Sequence, residues 1–340
     1  MGTSVLAGPA SRDIAKSIAV ALEARLVDVD LRIFPDGESK IRITGPMEGD
    51  DVIVVQSTHP PVDTHMMQLF FMLSRVSRIA SRVIALVPYL GYARQDREFL
   101  AGEVVSMDTI ARIISSYGID ALITVDAHST LALSYFTIPV YNLSAVPLLA
   151  GYFKDRLRGE GVDADDVVSV SPDAGGAGRA EAFAGVIGCS HLALRKSRDR
   201  TTGSISIDHD MLKGISDHLR GKVAVVVDDM ISTGSSVAEA VRALLEHGCR
   251  RVYVTCTHAL MLDGALERIK GSGASAIVST NTVPRGVGGL TVEVDVAPLA
   301  ASALLSILMG RSGMDGMDRE ERGEGEEEGS KEGSKSISSV

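Results

Sequence analysis

The sequence predicts an α/β protein with two mainly parallel β-sheets, each flanked by helices. Short apolar segments rich in β-branched residues alternate with longer amphipathic segments almost throughout the chain, an order typical of β–α–β units. Several of the short segments are apolar at nearly every position, as expected for strands that a parallel sheet buries on both faces. With 340 residues, the chain is long enough for two domains of ordinary size.

The predicted elements follow one another in β–α order from the N-terminus. We predict strands at residues 4–7, 51–56, 82–88, 121–125, 138–141, 167–170, 222–227, 251–256 and 276–279. We predict amphipathic helices at residues 13–24, 63–80, 107–117, 146–158 and 235–247. A strand-like segment at 290–294 precedes the last apolar segment, 296–309, which could close either domain.

The domain boundary is predicted at the point where the first series of strands ends. We expect residues 1–143 to form an N-terminal domain and residues 144–295 a C-terminal domain, with a helix at 296–310 whose domain is left open. Residues 311–340 consist mainly of Gly, Glu, Ser and Lys. Because this composition buries little apolar surface, we predict that this acidic tail is disordered.

The composition argues against nucleic acid and membrane partners. The formal net charge is −10, whereas binding to a phosphate backbone requires a basic footprint. No apolar run reaches the length of about 18 residues that a membrane-spanning helix needs, and the first residues lack the features of a secretory signal. The cysteines Cys189, Cys249 and Cys256 have neither metal nor redox spacing. We therefore expect buried thiols in a reducing compartment, the cytoplasm.

The strongest functional signal is a buried strand that leads into two carboxylates, Asp228 and Asp229. They precede a loop that consists of Ser232, Thr233, Gly234, Ser235 and Ser236. Ligands of open α/β sheets bind at such strand ends, and the loop offers N–H groups and hydroxyls at the start of a helix, where phosphates bind. The carboxylates could accept hydrogen bonds from two ribose hydroxyls, so the motif fits a sugar phosphate. The alternative is an ordinary strand end followed by an N-cap.

This segment resembles the phosphoribosyl pyrophosphate loop of type I phosphoribosyltransferases and of ribose-phosphate pyrophosphokinases. Those families share one α/β fold, so the resemblance implies two phosphoribosyltransferase-like domains of type I. It also implies that Asp228, Asp229 and the 232–236 loop bind ribose 5-phosphate. The loop alone does not distinguish an enzyme that makes phosphoribosyl pyrophosphate from one that consumes it.

Two further motifs resemble the ATP-binding segments of the pyrophosphokinases. The first contains Phe34, Asp36, Gly37 and Glu38, and the second contains Arg94 and Gln95. The resemblance implies that the first motif reaches the adenine in a neighbouring subunit's site and that the second contacts the nucleotide. The residues agree in part: Pro-Asp-Gly predicts a turn, and the glycine-flanked stretch 91–102 suggests a lid.

The remaining motifs imply a metal site and a cationic clamp. His128, after the strand at 121–125, matches a family residue that binds magnesium shared with ATP, although that hard ion prefers oxygen ligands. Asp173, at the head of a glycine loop, matches an acid near the second metal. Lys196 and Arg198 match the pair that clamps the transition state, and Arg198 also contacts ribose 5-phosphate. In an extended segment these two cations would point the same way. Gly178 stands where many members have Lys, outside the residues assigned to chemistry.

The resemblance therefore implies a Mg²⁺-dependent transfer of the pyrophosphoryl group of ATP to the 1-hydroxyl of ribose 5-phosphate, with AMP as the other product. It implies a homodimer or a homohexamer. A phosphoribosyltransferase that consumes the product is one alternative, but it leaves the Glu38 and Arg94 motifs without a role. A catalytically silent regulatory homologue is another, but it should have altered the clamp of Lys196 and Arg198. The chain has no Walker A motif.

Overall fold

A seven-stranded sheet forms the N-terminal part of the computed structural model, which describes residues 2–198, 205–262, 264–284 and 291–310. Its strands are β1 (Thr3–Ala7), β2 (Arg25–Ile33), β3 (Ser39–Ile43), β4 (Asp51–Val55), β5 (Arg82–Val87), β6 (Ala121–Val125) and β7 (Val140–Leu143). Their spatial order is β3-β2-β1-β4-β5-β6-β7. Neighbouring strands are parallel, except for the antiparallel pair β2 and β3.

The second sheet follows the same plan. The remaining strands are β8 (Val167–Ser171), β9 (Ser190–Ala193), β10 (Lys196–Arg198), β11 (Ile205–Ile207), β12 (Val223–Ile231), β13 (Arg251–Ala259), β14 (Ile277–Thr280) and β15 (Thr291–Val294). Six of them form a parallel sheet in the order β15-β14-β13-β12-β8-β9, while β10 and β11 pair as an antiparallel hairpin. The predicted α/β class with two mainly parallel sheets is confirmed.

Helices cover both faces of each sheet. They are α1 (Arg12–Ala21), α2 (Val62–Val76), α3 (Ser106–Ser116), α4 (Thr130–Ser134), α5 (Val146–Gly159), α6 (Ala177–Ile187), α7 (His209–Gly214), α8 (Ser216–Leu219), α9 (Ser235–Glu246), α10 (Ala265–Gly271) and α11 (Ala297–Leu308). Apolar side chains on α2 and α3 fill one face of the first sheet, and those on α1 and α11 fill the other. In the second sheet α9 and α10 cover one face, and α5 and α6 the other.

The last helix packs on the first sheet, although it follows the last strand of the second. Ala300 and Leu304 of α11 lie in the same buried cluster as Val5 and Ile18. The predicted domain boundary at residues 143 and 144 stays a prediction, although β7 ends at Leu143. The predicted disordered tail, 311–340, lies outside the described residues.

Several strands differ from the sequence-based expectation: β9, β10 and β11 were not among the predicted strands, and β13 extends to Ala259 beyond its predicted end at 256. The antiparallel hairpin of β2 and β3 was not predicted, although β2 alternates between buried Val27 and Val29 and exposed Asp28 and Asp30, a period typical of a strand. Strand β12 extends beyond the predicted end at 227 to Ile231, because it continues to pair with β13 as far as Ala259. The two aspartates therefore lie within the strand.

Cys249 and Cys256 are buried, Cys189 is partly buried, and all three are thiols. Within the described part of the chain, no helix is both long enough and apolar enough to cross a bilayer.

Candidate active site

A pocket of about 350 Å³ opens at the carboxyl ends of the strands, where the two sheets meet. The first sheet's half of the chain contributes Arg94 and His128, while the second contributes Asp173, Arg179 and the residues that follow the apolar part of β12. Parallel strands bring their carboxyl ends to one edge, which is where open α/β sheets bind ligands. Most of the polar residues predicted from separate motifs therefore line one pocket.

The loop between β12 and α9 has the geometry of an anion site. Gly234 adopts a left-handed conformation, with φ of 72°, directly before α9 begins. A Cβ at this position would lie 3.0 Å from Cδ1 of Ile269, so the turn requires glycine for both conformation and space. Thr233 and Ser235 are exposed, with their hydroxyls 3.4 Å apart. Hydroxyls and N–H groups at a helix N-terminus favour a phosphate.

The two adjacent carboxylates of β12 titrate very differently. Burial, and then the negative charge of Asp229, raise the pKa of Asp228 to about 7. Burial also opposes ionisation of Asp229, but the hydrogen bond with His128 and the charge of Arg179 outweigh it and lower the pKa of Asp229 below its usual range. Arg179 lies between the two, 3.6 Å from Oδ1 of Asp228 and 3.7 Å from Oδ2 of Asp229. Like charges this close separate the titrations of a pair.

His128 connects the two halves of the pocket. Its Nδ1 lies 2.7 Å from Oδ2 of Asp229, across 101 residues of sequence. When Nδ1 donates to this carboxylate, Nε2 carries the lone pair and can accept a hydrogen bond or bind a metal. Metal-binding histidines commonly hold their second nitrogen in this way.

The donors around the pocket fit a divalent cation that is shared with a ligand. Asp173 and His128 line the same pocket, and the carboxylate of Asp173 also accepts a hydrogen bond from the N–H of Gly175 at 3.1 Å. Among the described residues, no three His, Cys, Asp or Glu side chains are grouped closely enough to hold a metal by themselves. Hard divalent ions often complete such partial protein sites with water and substrate phosphates.

The segment with Arg94 and Gln95 is fixed to the His128 turn by Asp96. Asp96 is buried and accepts hydrogen bonds from the hydroxyl of Ser129 and from Arg97. The hydrogen bond from Arg97 is the main reason that the pKa of Asp96 is lowered. The guanidinium of Arg94 lies against the sulfur of Met230 and lines the pocket, whereas Gln95 is exposed and is not among the lining residues.

The motif of Phe34, Asp36, Gly37 and Glu38 forms the tip of the β2–β3 hairpin. The N–H of Gly37 donates to the carbonyl of Phe34 at 2.9 Å, with φ of 93° at Gly37, which confirms the predicted turn. Phe34 is partly exposed under the guanidinium of Arg32, 5.0 Å from its ring centre. None of these residues lines the pocket of the same chain.

Lys196 and Arg198 lie on β10, where Lys196 is in register with Ile207 and Arg198 with Ile205 of β11. The prediction that both cations face one phosphate concerns side chains outside the described set, and it stays a prediction. Lys196 and Arg198 follow Leu194 by two and four positions, and the N–H of Leu194 bonds to the carbonyl of Ser171 at the end of β8.

Comparisons with known proteins agree with this geometry. Residues 3–118 match the model of the N-terminal domain of ribose phosphate pyrophosphokinase, and residues 208–315 match the phosphoribosyl synthetase-associated domain. The ribose-phosphate pyrophosphokinase of Sulfurisphaera tokodaii is 36% identical over 87% of this chain and 98% of its own length. That of Methanopyrus kandleri is 37% identical over 88% of this chain and 98% of its own length. The chain belongs to the ribose-phosphate pyrophosphokinase family.

The fold agrees with a solved structure of the same family. The phosphoribosylpyrophosphate synthetase from Mycobacterium smegmatis superposes with a TM-score of 0.80 and 29% identity, covering 91% of this chain and 100% of the other. The resemblance identified from the motifs is therefore confirmed for both family and fold, and the chain is an enzyme of the ribose-phosphate pyrophosphokinase family.

The sequence motifs of this pyrophosphokinase did not predict the contacts of two residues in or beside the pocket. The motifs assign no role to Arg179, yet its guanidinium lies within 4 Å of the carboxylates of both Asp228 and Asp229. Its position in the first turn of the helix after the glycine loop could have predicted this contact, because a long side chain there can extend back to the ends of the strands. Asp96 stands inside the second ATP motif, but its burial and its bond to Ser129 depend on tertiary contacts that the motif does not reveal.

Proposed function

We propose that this protein transfers the pyrophosphoryl group of ATP to the 1-hydroxyl of ribose 5-phosphate, giving 5-phosphoribosyl 1-pyrophosphate and AMP. The observation that carries the proposal is the single pocket that joins Arg94 and His128 with the carboxylates and the phosphate-type loop of β12 and α9. A phosphoribosyltransferase requires the phosphate-type loop at 232–236 but has no need for residues that bind ATP. A catalytically silent homologue should have altered the clamp of Lys196 and Arg198, and both residues are present in this chain.

The second half of the pocket binds the sugar phosphate in this proposal. The 5-phosphate lies against the loop of Ser232, Thr233, Gly234, Ser235 and Ser236, where hydroxyls and helix N–H groups meet it. Asp228 and Asp229 accept hydrogen bonds from the ribose hydroxyls, and Arg198 reaches the same substrate. This arrangement holds the 1-hydroxyl in a fixed orientation. Because the substrate loses its translational and rotational freedom on binding, this entropy loss no longer adds to the activation free energy of the transfer.

The first half holds the triphosphate. Arg94 and Gln95 contact the nucleotide, and Phe34, Asp36, Gly37 and Glu38 reach it from a neighbouring subunit. His128 and Asp173 would hold Mg²⁺, which when bound neutralises charge on the phosphates. In the transfer, the 1-oxygen bonds to the β-phosphorus, the bond from that phosphorus to the oxygen of the α-phosphate breaks, and the hydroxyl proton is released. Lys196 and Arg198 neutralise charge on the transferred group.

We also propose a homo-oligomer, either a dimer or a hexamer, in the cytoplasm. The hairpin that carries Phe34 does not line the pocket of its own chain, which supports a homo-oligomer. A cytoplasmic location is supported by the thiols of Cys189, Cys249 and Cys256, since disulfides are rare in reducing compartments. No nucleic acid or membrane partner is proposed.

The test uses ATP labelled in its β-phosphate, ribose 5-phosphate and Mg²⁺, with products resolved by mass. We expect the label in the phosphoribosyl product and unlabelled AMP in equal amount. A reaction without ribose 5-phosphate is the control. Formation of ADP would indicate transfer of one phosphoryl group only. Absence of any product, with turnover of phosphoribosyl pyrophosphate when a purine or pyrimidine base is added, would identify a phosphoribosyltransferase instead.

A further inference from the structure

The turn that carries His128 begins with a residue in a conformation that most side chains avoid. Strand β6 ends at Val125, and Asp126 follows with φ of 38°, in the left-handed region. A non-glycine residue there costs free energy, although aspartate tolerates it better than most. Such a conformation persists only when surrounding contacts enforce it, so the contacts of Asp126 decide where His128 points.

Contacts from both halves of the chain hold Asp126. Its N–H donates to the carbonyl of Leu143 in the first half at 2.8 Å, and its Oδ2 accepts from the N–H of Ala145, just before α5, at 3.0 Å. The second half adds the hydroxyl of Thr257, which donates to the same Oδ2 at 2.6 Å. Thr257 is fully buried on β13, so its hydroxyl has a fixed direction.

The next residue of β13, His258, fixes the backbone of the same turn. Its Nε2 lies 3.0 Å from the carbonyl of Val125 and 3.3 Å from that of Asp126. Carbonyls only accept, so Nε2 carries the proton, while Nδ1 lies 2.9 Å from the hydroxyl of Thr282. Burial lowers the pKa of His258, which is consistent with this neutral form. The ring also packs edge-on against Tyr89, with centroids 5.0 Å apart.

We propose that Thr257, His258 and Asp126 are positioning residues for the transfer reaction, because they hold the His128 turn against Asp229. The proposal rests on the proposed function. Removal of the hydroxyl of Thr257 or of the N–H of His258 takes away one of the contacts that connect the turn to the second half. The imidazole of His128 then no longer stays within 2.7 Å of Asp229, and the nucleotide side loses alignment with the sugar side.

The cleanest test is Thr257→Val, which removes the hydroxyl and keeps the shape. We expect kcat to fall by roughly 10–10², since small misplacement of reacting groups has large effects, while KM for ribose 5-phosphate changes less than about twofold. Thr257→Ser keeps the hydroxyl and should restore most of the activity. Ser57→Ala is the matched control, because Ser57 donates to the carbonyl of Thr282 at 2.7 Å. It removes another buried bond between the halves, one that ends on the backbone carbonyl of Thr282 rather than on the His128 turn.

A second readout separates positioning from general stability. Mn²⁺ binding, measured by electron paramagnetic resonance with a non-hydrolysable ATP analogue and no ribose 5-phosphate, should weaken several-fold in Thr257→Val and in His258→Gln. It should stay unchanged in Ser57→Ala, even if all three variants lower the melting temperature. His128→Ala sets the scale of the loss.

The outcomes distinguish the two proposals. If wild type forms no AMP, the proposed function is wrong. If wild type is active and His128→Ala is impaired, but Thr257→Val matches wild type in kcat and in Mn²⁺ binding, the positioning proposal is overturned. Equal losses of kcat in Thr257→Val and Ser57→Ala would also overturn it, because the turn would then have no special role.

Discussion

Asp228 and Asp229 are consecutive in the chain but differ in protonation because their partners differ. Asp229 is within reach of both His128 and Arg179, whereas Asp228 has Arg179 at 3.6 Å and the backbone N–H of Asp229 at 2.9 Å to offset burial. Because the pKa of Asp228 is about 7, this carboxyl is only partly ionised near neutral pH, and the pair carries fewer than two negative charges. A cation or a sugar hydroxyl that enters the pocket meets a site that is already partly neutralised, which limits the repulsion between the site and a phosphate substrate.

Asp228→Asn should change the pH dependence of stability. The folded pKa of Asp228 is raised to about 7, so between pH 4 and 7 the folded state binds more protons than the unfolded state at this residue. Its contribution to the free energy of unfolding therefore decreases as pH rises through this window. We expect the ligand-free variant to melt a few degrees above wild type at pH 8, with the difference disappearing near pH 4. A difference that is the same at both values would contradict the pKa.

Lys196→Ala should lower kcat by roughly 10²–10³, as the loss of one donor to developing charge commonly does. KM for both substrates should change much less, because the clamp acts chiefly in the transition state. Arg195→Ala is the control: Arg195 is the adjacent cation and is exposed, and we expect it to retain most of the activity. If KM for Lys196→Ala rises while kcat stays the same, Lys196 is a binding residue only.

At the scale of the element, we expect one glycine in the strand–loop–helix unit of β12 and α9 to affect both the stability of the fold and the binding of ribose 5-phosphate. Gly234→Ala should destabilise the protein by about 1 kcal/mol or more, because it adds a Cβ at positive φ against Ile269. KM for ribose 5-phosphate should rise as the loop shifts. Gly185→Ala in α6 has open space around its Cβ and should be neutral or slightly stabilising. Thermal unfolding and steady-state kinetics check both, and an unchanged melting temperature for Gly234→Ala would contradict the steric argument.

The strands, helices and loops show which features of the fold could be predicted from the sequence and which could not. Parallel strands and the phosphate-type loop were predictable, because continuous apolar runs and a Ser/Thr/Gly loop after a strand have local physical causes. The length of β12 was not, since its last residues follow from pairing with β13. The contacts of His258 could not be predicted either, because a single histidine near the end of the apolar strand β13 fits the pattern of an ordinary core position. Its role depends on Val125 and Thr282, which are distant in sequence.

At the scale of the whole molecule, the described pocket contains only part of the predicted ATP machinery. Arg94 and His128 line it, but the tip of the β2–β3 hairpin does not. The hairpin tip carries an aromatic ring and a carboxylate at the surface, which are suited to an adenine ring and its amino group but do not line the pocket that the described residues form around Arg94 and His128. In the proposed homo-oligomer, a second copy that receives the hairpin would give these residues a function, and two-fold symmetry would make the exchange reciprocal.

Mixed oligomers test this exchange directly. Glu38→Ala and Lys196→Ala should each be nearly inactive alone, but in a mixed dimer one site combines intact Glu38 with intact Lys196 from opposite chains. Random association at equal amounts makes half of the dimers mixed, with one good site in two, so activity should return to roughly a quarter of wild type by dimer symmetry. The measurement requires denaturation and co-refolding, with each variant refolded alone for comparison. If mixed dimers are isolated and remain inactive, each site is complete within one chain and the hairpin has another role.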